Sequence, residues 1–312
     1  MHSEFIFDKA QFASCHASTV VEPEPGRLLA AWFGGAAEGA KDVKIWLARH
    51  DGMTWSPPEV AAEEPGQPCW NPVLFRSKSG TTFLFYKAGP NPSSWTGFVR
   101  RSTDGGKSWR DPEQLTAGIL GPIKNKPIQL ADETILAGTS VESYKAWACW
   151  VERSKDDGAT WSRFGPIAVP GKPYGIIQPT MFSTKDGRVA MLCRSRGIGR
   201  ICRSESSDAG QSWTPAALLD LPNPNSGIDA VRTGEGALFL VYNHTERGRS
   251  PLNLGLSRDD GQSWKMVQTL EDQPGEYSYP AIIQTQDGRL HITYTWQRQR
   301  IKHVVIDPMA VK

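Results

Sequence analysis

One phrase, Ser-x-Asp-x-Gly-x-x-Trp, is written four times in this chain, as STDGGKSW, SKDDGATW, SSDAGQSW and SRDDGQSW, ending at Trp109, Trp161, Trp213 and Trp264. A fifth version, ARHDGMTW, is one residue shorter and ends at Trp55. Successive spacings of 54, 52, 52 and 51 divide the 312 residues into six units of 52. Self-similarity at such a period marks a repeat architecture. Within a unit the pattern is β: IIQPTMFSTKDG, RVAMLCRSR and RICRSESSDAG are strand-length apolar runs separated by Asp-Gly or Gly turns. A fourth, more polar strand follows each box Trp. The sixth unit has only three runs, which leaves EFIFDKA at the N-terminus to supply its fourth strand. Six four-stranded antiparallel sheets with one borrowed strand predict a single all-β domain over residues 1–312. The expected form is a six-bladed β-propeller, which shields its sheet edges by setting blades around a central channel.

The boxes themselves read as structure. The Asp accepts backbone N–H groups across a tight turn, the Gly takes a conformation other residues avoid, and the Trp wedges against the sheet. Composition (39% hydrophobic, 22% charged, net charge +2) supports a globular core and gives no electrostatic footprint for nucleic acid or for a membrane surface. No apolar run approaches the 18 residues of a spanning helix, and MHSEFIFDKAQF lacks the apolar stretch of a secretory signal. Five widely spaced cysteines (Cys15, Cys69, Cys149, Cys193, Cys202) without a C-x-x-C pair are expected to be reduced thiols, which favours the cytoplasm. His2, His50, His244, His291 and His303 show no zinc spacing, and no phosphate-cradling Gly loop is present, so neither a metal nor a cofactor is implied.

Where a site would lie follows from superposing the units. One polar residue of each innermost strand falls just before a Pro or Ala: His16, Asn71, Lys126, Gln178, Asp229 and Tyr279, at spacings of 55, 55, 52, 51 and 50. Six polar side chains aimed at one axis exceed what hydration of a channel mouth needs. A second ring comes from the ends of the second strands: Lys87, Ser140, Arg194, Asn243 and Thr295. Lys87, Arg194, Lys126 and Lys124 make the mouth positive, and the planar fork of an arginine suits a carboxylate. The first unit ends instead in FGGAAEGAKD, a Gly-rich loop carrying Glu38 and Asp42 that is expected to reach over the pocket. NPNSGID and GPIKNKP, with Asn225 and Asn125, are expected to shape the pocket floor, and Trp95 and Trp147 are read as exposed aromatics, for a sugar subsite or an interface.

The boxes resemble the Asp-box (BNR) repeats of the sialidase superfamily, and the likeness of blade pattern covers essentially the whole chain. That resemblance implies three arginines on the substrate carboxylate, a Tyr nucleophile assisted by a Glu, and an acid on a first-blade loop. Tyr279 in YSYPAIIQTQDG falls at the nucleophile's phase, with Tyr277 as the alternative. Arg194 in MLCRSR fits the second arginine and Arg249 in NHTERGRSP the third, with Arg247 its rival; Glu38 or Asp42 fits the acid. Two positions depart from the pattern: His16 in CHAST replaces the first arginine, and Gln178 in IIQPTMF replaces the assisting glutamate.

Since Gln cannot take a proton, nearby cations would have to make the phenol of Tyr279 reactive. The first expectation is therefore an exo-acting glycosidase that removes a terminal acidic sugar from a glycan. In it Tyr279 attacks the anomeric carbon or stabilises its positive charge, Glu38 or Asp42 gives the proton, and Asp229 orients a hydroxyl or tunes Tyr279. Arg194, Arg249 and Lys126 hold the carboxylate, while His16, Gln178, Asn71, Lys87, Lys124 and Asn243 complete the pocket. The same residues allow two alternatives: β-elimination on a uronic acid, with His16 as the acid, or a non-catalytic glycan-binding propeller. Sugar, linkage and oligomeric state are not set by the sequence.

Overall fold

The computed structural model describes residues 1–311. Twenty-four strands form six four-stranded antiparallel sheets, and the sole helical segment among the described residues is a 3-10 turn at Pro308–Ala310. The innermost strands of blades one to six are Ser14–Glu24, Cys69–Arg76, Ile128–Gln129, Ile176–Ser183, Asp229–Arg232 and Tyr277–Gln284. Each is followed by the next three strands of its blade in sequence order, except in blade six, whose outer strand is His2–Phe5. That strand lies antiparallel to Arg300–Ile306, His2 opposite Val305 and Phe5 opposite Lys302. The borrowed strand thus begins slightly earlier than EFIFDKA suggests, and Ile6 N–H still reaches the Ile301 carbonyl at 3.0 Å.

The boxes do what their chemistry requires. In blade four, Asp208 Oδ1 accepts from Ser212 N–H at 2.8 Å, Asp208 Oδ2 from the Ser212 hydroxyl at 2.5 Å, and Ser206 Oγ from Gly210 N–H at 2.8 Å. Gly210 has φ of 86°, a conformation that strains any residue with a Cβ. Trp213 closes the turn by donating to the Gly210 carbonyl at 3.0 Å. The boxes also stitch neighbours together: Arg49 donates to the Gly106 carbonyl, Arg101 to that of Gly158 and Arg203 to that of Asp260, each from one blade to the box of the next.

Between blades the core is apolar, with Trp32, Tyr86, Tyr242 and Tyr294 fully buried. The five cysteines are buried and unpaired, and burial pushes the thiols of Cys15, Cys69 and Cys202 up to about 12. Trp95 and Trp147, expected on the surface, are buried; Trp95 packs against Trp70, and Arg196 stacks over Trp147. At the closing seam three histidines gather: His303 lies 3.0 Å from Glu4 and 2.9 Å from His291, with the His50 ring 6.0 Å away.

Candidate functional site

Four innermost strands carry the same irregularity. Register jumps between Trp70 and Val73, Ile177 and Thr180, Ser278 and Ala281, and His16 and Thr19. Each jump is a β-bulge, in which extra residues on one strand are left unpaired and side chains are re-aimed. In three blades the bulge is written as a residue followed by Pro, which cannot donate to the ladder. Asn71, Gln178 and Tyr279 accordingly sit at φ of 40°, 55° and 51°, a conformation that costs about 1–3 kcal/mol each and clusters at functional sites.

The bulges change the alignment of the rings. In blade one the left-handed residue is Ala17 (φ 59°), so Ala17 is the counterpart of Asn71, Gln178 and Tyr279, and His16 stands one place earlier. Asp229 pairs with Val241, two residues before Asn243, just as Thr180 pairs with Leu192, two residues before Arg194. Asp229 is therefore the counterpart of Thr180, and the counterpart of Gln178 is Gly227. A Cβ there would stand 3.3 Å from the Tyr279 ring and 3.4 Å from Lys124, so the missing side chain makes room for both.

Tyr279 is the centre of the upper layer. Its hydroxyl oxygen accepts from Arg194 Nη1 at 2.6 Å and from Gln178 Nε2 at 3.2 Å. Arg194 is itself held by Gln178 Oε1 at 3.1 Å and Asn225 Oδ1 at 2.9 Å. His16 lies against the Tyr279 ring at 4.1 Å between centroids, and its Nδ1 is 3.0 Å from the Thr295 hydroxyl. Arg249 stands 5.6 Å over the same ring. One carboxylate oxygen of Glu276 accepts from Arg249 Nη1 at 2.8 Å, from Arg298 Nε at 2.6 Å and from the Ser278 hydroxyl at 3.0 Å. Arg298 Nη1 also reaches Glu38 Oε2 at 2.5 Å.

Burial first, and then this density of charge, shift the proton affinities. Burial, then Arg298, Arg249, Arg194 and Lys124, hold His16 well below the usual histidine range, so its imidazole is neutral. Burial pushes Lys124 down to about 7; its ammonium rests on the carbonyls of Ile228 and Pro280 and on Asn125 Oδ1. Against the opposing effect of burial, Arg298 and Arg249 keep Glu276 below the ordinary carboxylate range. Burial raises Glu142, at the end of Ile135–Glu142, and the charge of Glu38 adds to that rise while Arg194 and Arg196 oppose it.

The structure brings Tyr279, Arg194, Gln178, His16, Lys124, Arg249 and Glu38 together, with Asn71 at the equivalent bulge of blade two. It separates others from them. Asp229 lies one layer down and spends both oxygens on structure, accepting from Thr180 Oγ1 at 2.8 Å, Ile282 N–H at 2.9 Å and Lys126 Nζ at 2.9 Å. Thr19 and Thr180 do the same for Leu74 and Ala230 N–H, so Asp229 is the blade-five form of a staple between successive blades. Lys126 therefore belongs to that staple. Lys87 is wholly buried on the Pro122 carbonyl, pushed down to about 7 by burial, and Asn243 donates to the carbonyls of Pro251 and Tyr277. Ser140 and Thr295 accept Gln178 and Ala17 N–H, so of the second ring Arg194 alone turns to the axis. Asp42 accepts Ala36 N–H and shapes its own loop. Tyr277 is buried with its carbonyl on Asn243, leaving Tyr279 as the site phenol, while Arg247 is exposed and bonded to Thr245 through its backbone alone.

Three charged residues of the cluster escape sequence reasoning: Arg298, Glu276 and Glu142. They sit at blade ends and turns, outside the repeated runs. Arg298 and Gln297 both take left-handed backbone, with φ of 58° and 54°, in the turn before Arg300–Ile306.

The profile of the BNR repeat-like domain family matches residues 26–292. A sialidase of Micromonospora viridifaciens is 27% identical over 220 residues, covering 63% of this chain; the chain spans only a third of that protein's length (33%). Among solved structures, a protein of unknown function from Dyadobacter fermentans superposes with a TM-score of 0.83 at 20% identity, over 97% of both chains. The sialidase NanB of Streptococcus pneumoniae superposes with a TM-score of 0.82 at 15% identity, over 99% of this chain and 71% of its own.

Proposed function

From a chain that belongs to the BNR repeat-like domain family and has a sialidase-like propeller fold, we propose a glycosidase that removes a terminal acidic sugar from a glycan. The single observation that carries this is the Tyr279 hydroxyl, on which an arginine and an amide N–H converge while Arg249 stands 5.6 Å over the ring. Donors aimed at one oxygen stabilise negative charge developing on it. Tyr279 thus gives its electron pair to the anomeric carbon as the bond to the leaving oxygen breaks, and its own proton passes to solvent. The proton acceptor that a glutamate at position 178 would have been has no counterpart here. A Tyr in this role is a recognised departure from the two-carboxylate pattern of glycosidases. Arg194 and Arg249 hold the substrate carboxylate. The proton for the leaving oxygen comes from Glu38 on the blade-one loop or from Glu142, which burial inclines to keep a proton.

The neutral His16 counts against β-elimination, where it would be the acid. The test is Tyr279→Phe on a panel of aryl glycosides of acidic sugars, following aryl release together with ultraviolet absorbance of an unsaturated uronate. A loss of at least about 10³-fold in kcat with the thermal melt preserved supports the mechanism. Unchanged turnover, or an unsaturated product, overturns it.

A further inference from the structure

The closing seam carries a cluster of titratable groups away from the axis. A cavity of about 310 Å³ between blades six and one is lined by His2, Glu4, His50, Asp287, His291 and His303, among others. Its node is one oxygen of the borrowed strand: Glu4 Oε1 lies 3.0 Å from His303 Nδ1, 3.2 Å from Trp55 Nε1 and 3.9 Å from His50 Nε2. Glu4 stands directly opposite His303 in blade six, while Trp55 and His50 belong to blade one. In three other boxes the Trp N–H closes its own turn on the carbonyl of Gly158, Gly210 or Gly261; in the short first box Trp55 reaches Glu4 instead.

The contacts fix where the protons sit. An ionised carboxylate only accepts, so Trp55 Nε1–H and His303 Nδ1–H point at Glu4. His303 Nε2 then accepts from His291 Nδ1–H at 2.9 Å, and His50 Nδ1 accepts from Gly52 N–H at 3.2 Å. All three imidazoles are thus satisfied when neutral. A proton added at His50 Nδ1 confronts the Gly52 N–H, and one at His291 Nε2 makes a cation of a ring stacked on His303, 5.1 Å between centroids. Glu4 balances one imidazolium and no more. Of the other charges facing the cluster, Asp287 by His291 has Arg289 beside it at 3.6 Å, Asp51 by His50 is engaged by Met53 and Thr54 N–H, and Glu22 is engaged by Gly26 and Gln286 N–H. His2 is exposed on the same strand as Glu4.

We propose that this seam is an acid-released latch: protons taken up at His50 and His291 free the strand His2–Phe5 from blades six and one while the other blades stay folded. Only four residue pairs hold that strand to Arg300–Ile306, so few bonds must part, and its release bares a strand edge. The proton affinities carry the same sign. Burial, then His303, holds His291 down to about 4 and lowers His50. The bond from His303 keeps Glu4 below the ordinary carboxylate range against the effect of burial. Each of these groups binds a proton more readily once the seam is open. The histidines' contribution to closure is therefore full above about 6.5 and is lost as pH falls toward about 4.

Hydrogen exchange read by mass spectrometry on the intact chain tests this. The opening constant of the peptide over residues 2–7, corrected for the intrinsic exchange rate at each pH, is compared with that of Ile176–Ser183 in blade four. Returning His291 from about 4 to about 6.5 on opening makes the constant rise roughly 30-fold between pH 7.5 and pH 5. At both pH values the blade-four peptide should open at least about tenfold less. His291→Gln should cut the rise severalfold, and His50→Gln with His291→Gln should hold it below about threefold. Glu4→Gln puts an amide where two donors need a carboxylate and should raise opening at pH 7.5 by about fivefold or more. The proposal is overturned by a wild-type rise below about threefold, by a rise in His291→Gln as large as the wild type's, or by blade four opening in step with the closing strand. A Glu4→Gln strand no looser than wild type at pH 7.5 overturns it too. If the double variant does not stay folded at pH 5, His291→Gln alone decides.

Discussion

Replacing Asp229 by Asn tests whether its carboxylate staples neighbouring blades together or belongs to the reacting centre. Its side chain is 2% exposed, accepts two blade-joining bonds and pairs with Lys126 at 2.9 Å. An amide of the same shape must aim its NH2 either at the Lys126 ammonium and Ile282 N–H, which share Oδ2, or at the Thr180 hydroxyl and Ala230 N–H, which share Oδ1, and it leaves the lysine unneutralised. Removing one partner of a buried pair costs about 3–5 kcal/mol. At about 2.1 cal/mol/K per residue, 312 residues give an unfolding entropy of about 0.65 kcal/mol/K, so the melting temperature should fall by about 5–8 °C. Calorimetric melting measures it directly. Lys126→Met added to Asp229→Asn should restore part of the loss, because the orphaned charge goes with it, giving a coupling of about 1–3 kcal/mol. Activity measured well below the melt should change little. A variant that melts like wild type yet loses kcat by 10²-fold or more would refute the staple and return Asp229 to the reacting centre.

The other expectations are briefer. Asp208→Ala should lower stability by roughly 1–2 kcal/mol, judged by urea midpoint, with kcat unchanged, because the exposed carboxylate only ties its own hairpin. Ser212 and the turn N–H groups hold its pKa at about 2, so that contribution is present above the usual aspartate range and vanishes as pH falls through about 2. His16 is held far below its unfolded value, so between that low folded value and about 6.5 the unfolded chain binds a proton that the folded chain does not; stability from this residue is full above about 6.5 and lost as pH falls. His16→Gln should flatten that part of the stability profile, and an acid limb of kcat that shifts with it would make His16 a titrating catalytic group. Deleting residues 1–5 should bare the edge of Arg300–Ile306 and produce concentration-dependent association in light scattering; a monomer with the parent melt would show that the closing strand is dispensable.

The all-β class, the six blades and the borrowed strand follow from sequence because the box is a local device: Ser, Asp, Gly and Trp satisfy each other within eight residues, wherever the blade goes. Its period gives each strand an angle about the axis. Height along that axis is another matter. One pleat separates the layer of Tyr279 from that of Asp229, and which residue lands in which layer depends on bulges at Gln178 and Tyr279 that have no equal in blade five, where Gly227 fills the place. Lys87 and Asn243 looked like pocket residues because position along a strand cannot tell a side chain that faces the channel from one that reaches to the next blade. Arg298, Glu276 and Glu142 carry no periodic signal at all. Their meaning lies in which charges stand within a few ångströms of one another, and closing the ring, by bringing residue 15 against residue 298, is what decides that.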